Sequence, residues 1–205
     1  VASHYDGSAS SYGDQYDPEK LWTNAEYPSN FFRLQLVQRL LAAFGSTSVY
    51  ELGVGDASPL STIGASGIRV AGNDVSSEMV KVARSNMEAR GLDGSLITWL
   101  DAQDSDALAA ERALRGEFDS VMALGVIPHV SDDVAFIQGM DSFLRPGGQL
   151  ILQFRNSMFS MFTFNRLTKE FILDELLVNV PDDMRDAVAR DLDNRLAVDK
   201  PPVRT

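Results

Sequence analysis

The chain of 205 residues has no cysteine, which excludes disulfides, thiolate catalysis and cysteine-ligated metal. This fits a reducing cytoplasm, the expected compartment. Cations are scarce: 18 Lys and Arg face 29 Asp and Glu, a formal charge of −11. Nucleic acid and anionic lipid both need clustered positive charge, so neither is an expected partner. Apolar runs are short, and none approaches the ~20 residues of a membrane span. The opening VASHYDGSASSYGDQYD is polar and acidic, unlike a secretory or mitochondrial signal. It starts without Met, so residues are expected upstream. With 15 Gly and 8 Pro the chain is not low-complexity, and 44% hydrophobic residues suit a folded core.

Three stretches differ in character. Residues 1–28 are rich in Ser, Gly, Asp and Tyr and read as an arm whose aromatics, Tyr16 and Trp22 among them, act as a lid. Residues 29–156 alternate between apolar runs and helical patterns. A helix capped by Ser29 or Asn30 carries Leu36, Val37, Leu40, Leu41 and Phe44 on one face. Strands follow at 48–52, 69–73, 95–100, 118–124 and, after a sharp Pro146-Gly147-Gly148 turn, 149–154. Helical segments lie between them. Ser76 and Ser131 are read as caps, and Val134, Ile137, Met140 and Phe143 as a buried stripe. Such alternation implies right-handed crossovers and a mostly parallel, doubly wound α/β sheet covered on both faces. Residues 157–205 are acidic and helical, with Met184, Val188, Leu192 and Leu196 at spacing four. They read as a helical cap over the sheet.

In an open parallel sheet the ligand crevice lies beyond the carboxyl ends of the strands. The turn after the first strand is Glu51-Leu52-Gly53-Val54-Gly55-Asp56-Ala57. Gly53 permits a tight turn and Gly55 a close backbone approach. Alone, this pattern also fits an ordinary loop. The second strand ends at Asp74, 19 residues beyond Gly55, where a carboxylate can accept from both ribose hydroxyls. A dinucleotide and any other adenosine ligand fit equally so far. Charge separates them. Glu51 and Asp56 flank the turn, and a carboxylate ~4–6 Å from a phosphate costs ~1 kcal/mol in water and more when buried. A sulfonium and an ammonium would instead be welcome there. Ser58 also stands where the dinucleotide pattern has its third glycine. After the third strand, Asp101 can accept from an adenine amino group, the Ala102 backbone can meet the ring edge, and Met79 can pack on its face.

The segments VYELGVGDAS, VAGNDVSSEMVKVAR, ITWLDAQD, FDSVMALGVIPHV and LRPGGQLILQF resemble the class I S-adenosylmethionine-dependent methyltransferases, across roughly residues 48–155. The resemblance implies a Rossmann-like fold, S-adenosylmethionine as methyl donor and S-adenosylhomocysteine as product. It assigns cofactor binding to Glu51, Gly53, Gly55, Asp74, Asp101 and Ala102. Asp56, Met79 and Leu124 join that set. Ala57 replaces the family's third glycine. The family's last two strands are not found in 156–205, so the chain is expected to break off inside the cap. FRNSMFSMFTFNRLT resembles bacterial methyltransferases of surface-polysaccharide and natural-product clusters.

Methyl transfer needs mainly positioning and desolvation. A hydroxyl acceptor also gains from a base, worth ~10²–10⁴-fold. His129, one of only two histidines, follows the fourth strand and is the candidate base. With Asp132 and Asp133 it has a second reading as a metal ligand, but acids in the first turn of a helix serve its dipole, and no metal is expected. Arg33 is the candidate partner for the cofactor's carboxylate. Arg155 and Asn156 are expected to face the acceptor with Tyr16 and Trp22. The expected activity is methylation of a small molecule, on oxygen. A nicotinamide-dependent oxidoreductase and a non-catalytic cofactor-binding partner remain the alternatives, and a homodimer is left open beside a monomer.

Overall fold

The computed structural model describes Tyr16, residues 29–154 and residues 166–195. The chain divides into two compact units, Val1–Phe154 and Arg155–Thr205. In the first, α1 (Ser29–Phe44) leads into β1 (Ser48–Leu52), α2 (Ser58–Ala65), β2 (Arg69–Asp74), α3 (Ser77–Ala89), β3 (Ile97–Trp99), α4 (Ser105–Arg115), β4 (Phe118–Ala123), α5 (Asp133–Ser142) and β5 (Leu144–Leu152). The sheet order is β3-β2-β1-β4-β5, and every pairing is parallel. Strand order therefore reverses at β1, between β2 and β4. This is the doubly wound, Rossmann-like arrangement.

β1 is buried along its whole length, so its side chains alternate between two cores. On one face Val49, Val54, Leu60, Val70, Ala83 and Met87 pack with Leu34, Val37 and Leu41 of α1. On the other, Tyr50, Leu52, Phe118 and Val121 pack with Leu108 of α4 and with Phe136, Met140 and Phe143. Burying each large apolar side chain contributes ~1.5–3 kcal/mol. Losing any of these layers would cost the sheet one of its covers.

Local chemistry sets the helix starts. Ser76 accepts from Met79 N at 3.1 Å and caps α3. Asp104 caps α4 through Asp106 N and Ala107 N at 3.1 and 3.0 Å. Asp132, rather than Ser131, caps α5 through Ala135 N at 2.9 Å; Ser131 bonds Gln103 instead. Several boundaries and faces differ from the sequence reading. β3 is shorter, because Gly94–Leu96 forms a 3-10 turn before it. β5 starts at Leu144 and runs through Pro146-Gly147-Gly148 as an irregularity, with Phe118 opposite Leu144 and Ser120 opposite Gln149. On α1 the buried positions are Leu34, Val37 and Leu41, while Leu36 and Phe44 are exposed. On α5 they are Phe136 and Met140, with Val134 exposed. The helical period is right in both, and its phase is rotated.

The second unit contains α6 (Arg166–Phe171), a π-helical turn (Ile172–Leu176) and α7 (Asp182–Arg195). Arg185 ties them, donating from Nη2 to Asp174 Oδ1 at 2.8 Å and from Nε to the Leu173 carbonyl at 3.1 Å. Of the α7 stripe, Leu192 is buried, Val188 is half-buried and Met184 is exposed, while Leu196 lies outside the described residues. No helix among the described residues is long and apolar enough to cross a membrane.

Candidate active site

A cavity of about 360 Å³ opens at the carboxyl ends of the strands, where the strand order reverses. Gly53 and Gly55 from the turn after β1 wall it, with Asp74 and Val75 after β2, Asp101 and Ala102 after β3, and Leu124 and His129 after β4. Arg33 reaches it from α1 and Met79 from α3. Nine residues singled out from sequence thus surround one space.

The glycine turn depends on backbone freedom. Gly53 has φ 73°, and a Cβ there would lie 2.5 Å from the Val126 side chain. Ala57 has φ 56°, a left-handed conformation that costs an L-residue ~1–2 kcal/mol. A glycine at this position would carry no such strain.

Asp74 does more than face a ligand. Its Oδ2 accepts from Gly55 N at 2.8 Å and its Oδ1 from Ser76 N at 2.9 Å. It therefore pins the glycine turn to the end of β2 and orders the start of α3.

Asp56 departs from its expected place. It is 1% exposed and does not line the cavity. Its carboxylate accepts from Ser58 N at 3.0 Å and Ser58 Oγ at 2.6 Å, which commits it to the start of α2. Burial raises its pKa, and the Ser58 bonds oppose that rise. Asp56 therefore does not offer its charge to a cation in the crevice. It still disfavours a diphosphate, because it takes the Ser58 N–H that a phosphate at the start of α2 would need. Gly55 N, another donor such a ligand would need, is taken by Asp74.

Glu51 carries the cation argument instead. Like Asp56 it is 1% exposed and does not line the cavity, but its Oε2 has no hydrogen-bond partner. Burial holds its pKa well above the usual carboxylate value; Arg33 opposes this, and Asp56 and Asp74 add to it. An unpaired buried carboxylate is expensive unless a donor or cation reaches it. Arg33 supplies the complementary vacancy. Its Nη1 donates to Gln153 Oε1 at 2.7 Å and its Nη2 to the Tyr16 hydroxyl, but its buried Nε has no partner. An unsatisfied carboxylate and an unsatisfied guanidinium edge together suit a ligand bearing an ammonium and a carboxylate, as an amino acid does.

Asp101 is exposed and accepts from Gln103 N at 2.9 Å, while Met79 is 1% exposed beneath the cavity. His129 ends a 3-10 turn, Ile127–His129, exposed on the rim. Tyr16 sits beside Arg33, with its ring centroid 5.9 Å from the guanidinium carbon. Trp22, Arg155 and Asn156 lie outside the described residues. Among the described residues no group of three or more acids and histidines could hold a metal. Asn73, Gln103, Gly125, Val126, Val130 and Phe136 also line the cavity, and the sequence reading missed them. Two carried a signal: Asn73 is polar inside an apolar strand, and Gln103 lies two residues past Asp101.

Residues 50–152 match the family described as "Methyltransferase domain". The ubiquinone biosynthesis O-methyltransferase of Xanthomonas axonopodis pv. citri (strain 306) is 31% identical over 157 residues, 74% of this chain and 63% of that protein. Its counterpart from Xanthomonas euvesicatoria pv. vesicatoria (strain 85-10) is 30% identical over the same shares. The chain thus spans 63% of the length of these curated relatives. Among solved structures, the DhpI-SAH complex aligns with a TM-score of 0.52 at 26% identity, over 74% of this chain and 65% of that one. YjhP from E. coli aligns at 0.50 with 18% identity, over 71% and 52%, a likeness of fold. With a family match over half its length, and with the strand-end cavity that fold uses, the chain belongs to the class I S-adenosylmethionine-dependent methyltransferases.

Proposed function

We propose that this chain binds S-adenosylmethionine in the strand-end cavity and methylates a hydroxyl of a small-molecule acceptor. One observation carries the reading. A single cavity gathers ribose- and adenine-type acceptors with Arg33, whose buried Nε lacks a partner, and the Arg33 charge acts on the buried Glu51, whose Oε2 also lacks one. When bound, the donor supplies a methyl carbon activated by a sulfonium. Asp74 accepts from the ribose hydroxyls while holding the turn through Gly55 N. Asp101 accepts from the adenine amino group, and Met79 packs on the ring. Glu51 takes the ammonium and Arg33 the carboxylate. Gly53, Gly55 and Leu124 close the walls and exclude water. A ring nitrogen of His129 would take the acceptor's hydroxyl proton.

The names of the relatives, O-methyltransferases of ubiquinone biosynthesis, support oxygen as the methylated atom. The acidic composition supports a small acceptor over nucleic acid. Calorimetry with S-adenosylhomocysteine and NAD, followed by mass spectrometry with a catechol probe, tests the reading. The expected result is binding of the adenosyl compound alone and a gain of one methyl on oxygen. Binding of NAD in its place would overturn it, and so would cofactor turnover that leaves every hydroxyl unmethylated.

A further inference from the structure

Asn73 is the penultimate residue of β2, is 1% exposed and forms part of the cavity wall. Three separate attachments meet at it. Its carbonyl accepts from Gly53 N at 2.9 Å and from Val54 N at 3.0 Å, holding the first half of the glycine turn. Its Nδ2 donates to the Leu100 carbonyl at 3.2 Å, tying down the chain just after β3. Its Oδ1 accepts from the Tyr50 hydroxyl at 3.2 Å. The amide orientation is forced. The Leu100 carbonyl can only accept, so Nδ2 faces it, and Oδ1 is left for a donor. Tyr50 is that donor. Burial first, and the nearby Glu111 charge second, push its hydroxyl pKa up, so it keeps its proton at any working pH. Its ring is fully buried and stacked on Phe143, with centroids 4.1 Å apart, so the hydroxyl has little freedom to wander.

This polar pair lies beside Leu52, Ala71 and Phe118, with the buried Glu111 carboxylate close to the Tyr50 hydroxyl. The pair's distinctive contribution is geometric. Leu100 immediately precedes Asp101 and Ala102, and Asp74 immediately follows Asn73. A second tie reinforces the same junction, because Leu100 N donates to the Asp74 carbonyl at 3.0 Å.

We propose that Asn73, oriented by Tyr50, is a positioning residue that gives the site its preference for adenine over other purines. It holds the Leu100 carbonyl, and with it Asp101 and the Ala102 backbone, at the separation from Asp74 that an adenosine spans. The inference rests on the adenosyl reading of the site given above. Asp101 can accept from an exocyclic amino group and is repelled by a carbonyl oxygen in its place. That discrimination needs Asp101 held still, since a loosened strand end would let it turn away from the wrong base.

The test compares binding of S-adenosylhomocysteine and S-inosylhomocysteine by calorimetry, in the wild type, Tyr50→Phe, Asn73→Leu and the double variant, with melting temperatures alongside. The wild type is expected to prefer the adenine compound. Asn73→Leu is expected to cut that preference about tenfold, the share of one hydrogen bond, and Tyr50→Phe about threefold. The double variant is the decisive arm. With the Tyr50–Asn73 bond removed from both sides, its melting temperature should fall by less than the sum of the two single variants, while the Leu100 carbonyl still lacks its Asn73 donor and the preference should stay lost. Recovery of the preference together with stability would overturn the positioning role. Equal weakening of both ligands in Asn73→Leu would do the same. Should Asn73→Leu not fold, Tyr50→Phe and the double variant decide. A wild type that binds neither compound would instead bring down the adenosyl reading itself.

Discussion

The two ends of the same sheet treat polar groups in opposite ways. At the amino ends of the strands the buried polar atoms satisfy one another. Ser46 and Ser120 share a hydrogen bond at 2.6 Å, and Gln149 Nε2 donates to both at 3.1 Å. Asp119 accepts from Thr47 N and Thr47 Oγ1, both at 2.7 Å, and from Ser48 N at 3.0 Å, and it pairs with Arg145. At the carboxyl ends, Glu51 Oε2 and Arg33 Nε are buried with nothing to bond. One edge has completed its hydrogen bonding internally and serves stability. The other holds capacity that a ligand would complete. Backbone dipoles and loop freedom alone do not separate the two edges; the state of their side chains does.

Four measurements would break or sharpen that contrast. The largest effect is expected from His129→Ala. Turnover should fall about 10²-fold or more, with little change in S-adenosylhomocysteine affinity, as separate single-turnover and calorimetric measurements would show. Full activity would remove the base. Next, Asp74→Ala should weaken S-adenosylhomocysteine by about thirtyfold, since it loses ribose contacts and also releases Gly55 N. Asp119→Ala, at the other edge, should leave that affinity untouched and lower the melting temperature by roughly 5 °C. Equal ligand effects at both edges would erase the contrast.

The third concerns pH. Glu51 holds a proton more tightly in the folded chain than its ordinary value of 4.5 allows. The folded state therefore binds more protons than the unfolded state above that value. Its contribution to stability is full below pH 4.5 and is lost as pH rises toward the raised pKa. Filling the site with an ammonium favours the carboxylate, so ligand binding should release a proton and tighten as pH rises. Calorimetry in buffers of different ionisation enthalpy should detect that release in the wild type and lose it in Glu51→Gln. Asp119 has the opposite sign. The Thr47 bonds, helped by Arg145, hold its pKa far below the usual range, so its contribution fades only as pH falls. The smallest effect is expected from Ala57→Gly. Relief of the left-handed strain should raise the melting temperature by about 2 °C, with affinity unchanged.

Much of the fold was legible because it rests on short-range patterns. Apolar runs such as Ser48–Leu52 and Phe118–Ala123 announced strands, and Ser76 announced a helix start. The helix faces were less legible. Leu36 and Phe44 share the helical period of the buried residues, and only the position of the sheet decides which side of α1 is covered. Asp56 was misassigned for a related reason. Its neighbour Ala57 adopts a left-handed conformation, which carries the chain into α2 with Asp56 turned toward Ser58.

What the sequence determined by itself was the order of elements and the chemical inventory: glycines where the turn must be tight, and acids at 51, 74 and 101, one at the carboxyl end of each of three strands. Those follow from periodicity and residue type, which need no partner to be read. What only the tertiary structure decided was which of those groups are already satisfied. Asp56 and both oxygens of Asp74 accept from the protein's own backbone, whereas Glu51 Oε2 and Arg33 Nε have no partner. Hydrogen-bond satisfaction is a relation between atoms far apart in the chain, so it exists only once the strands have been brought together.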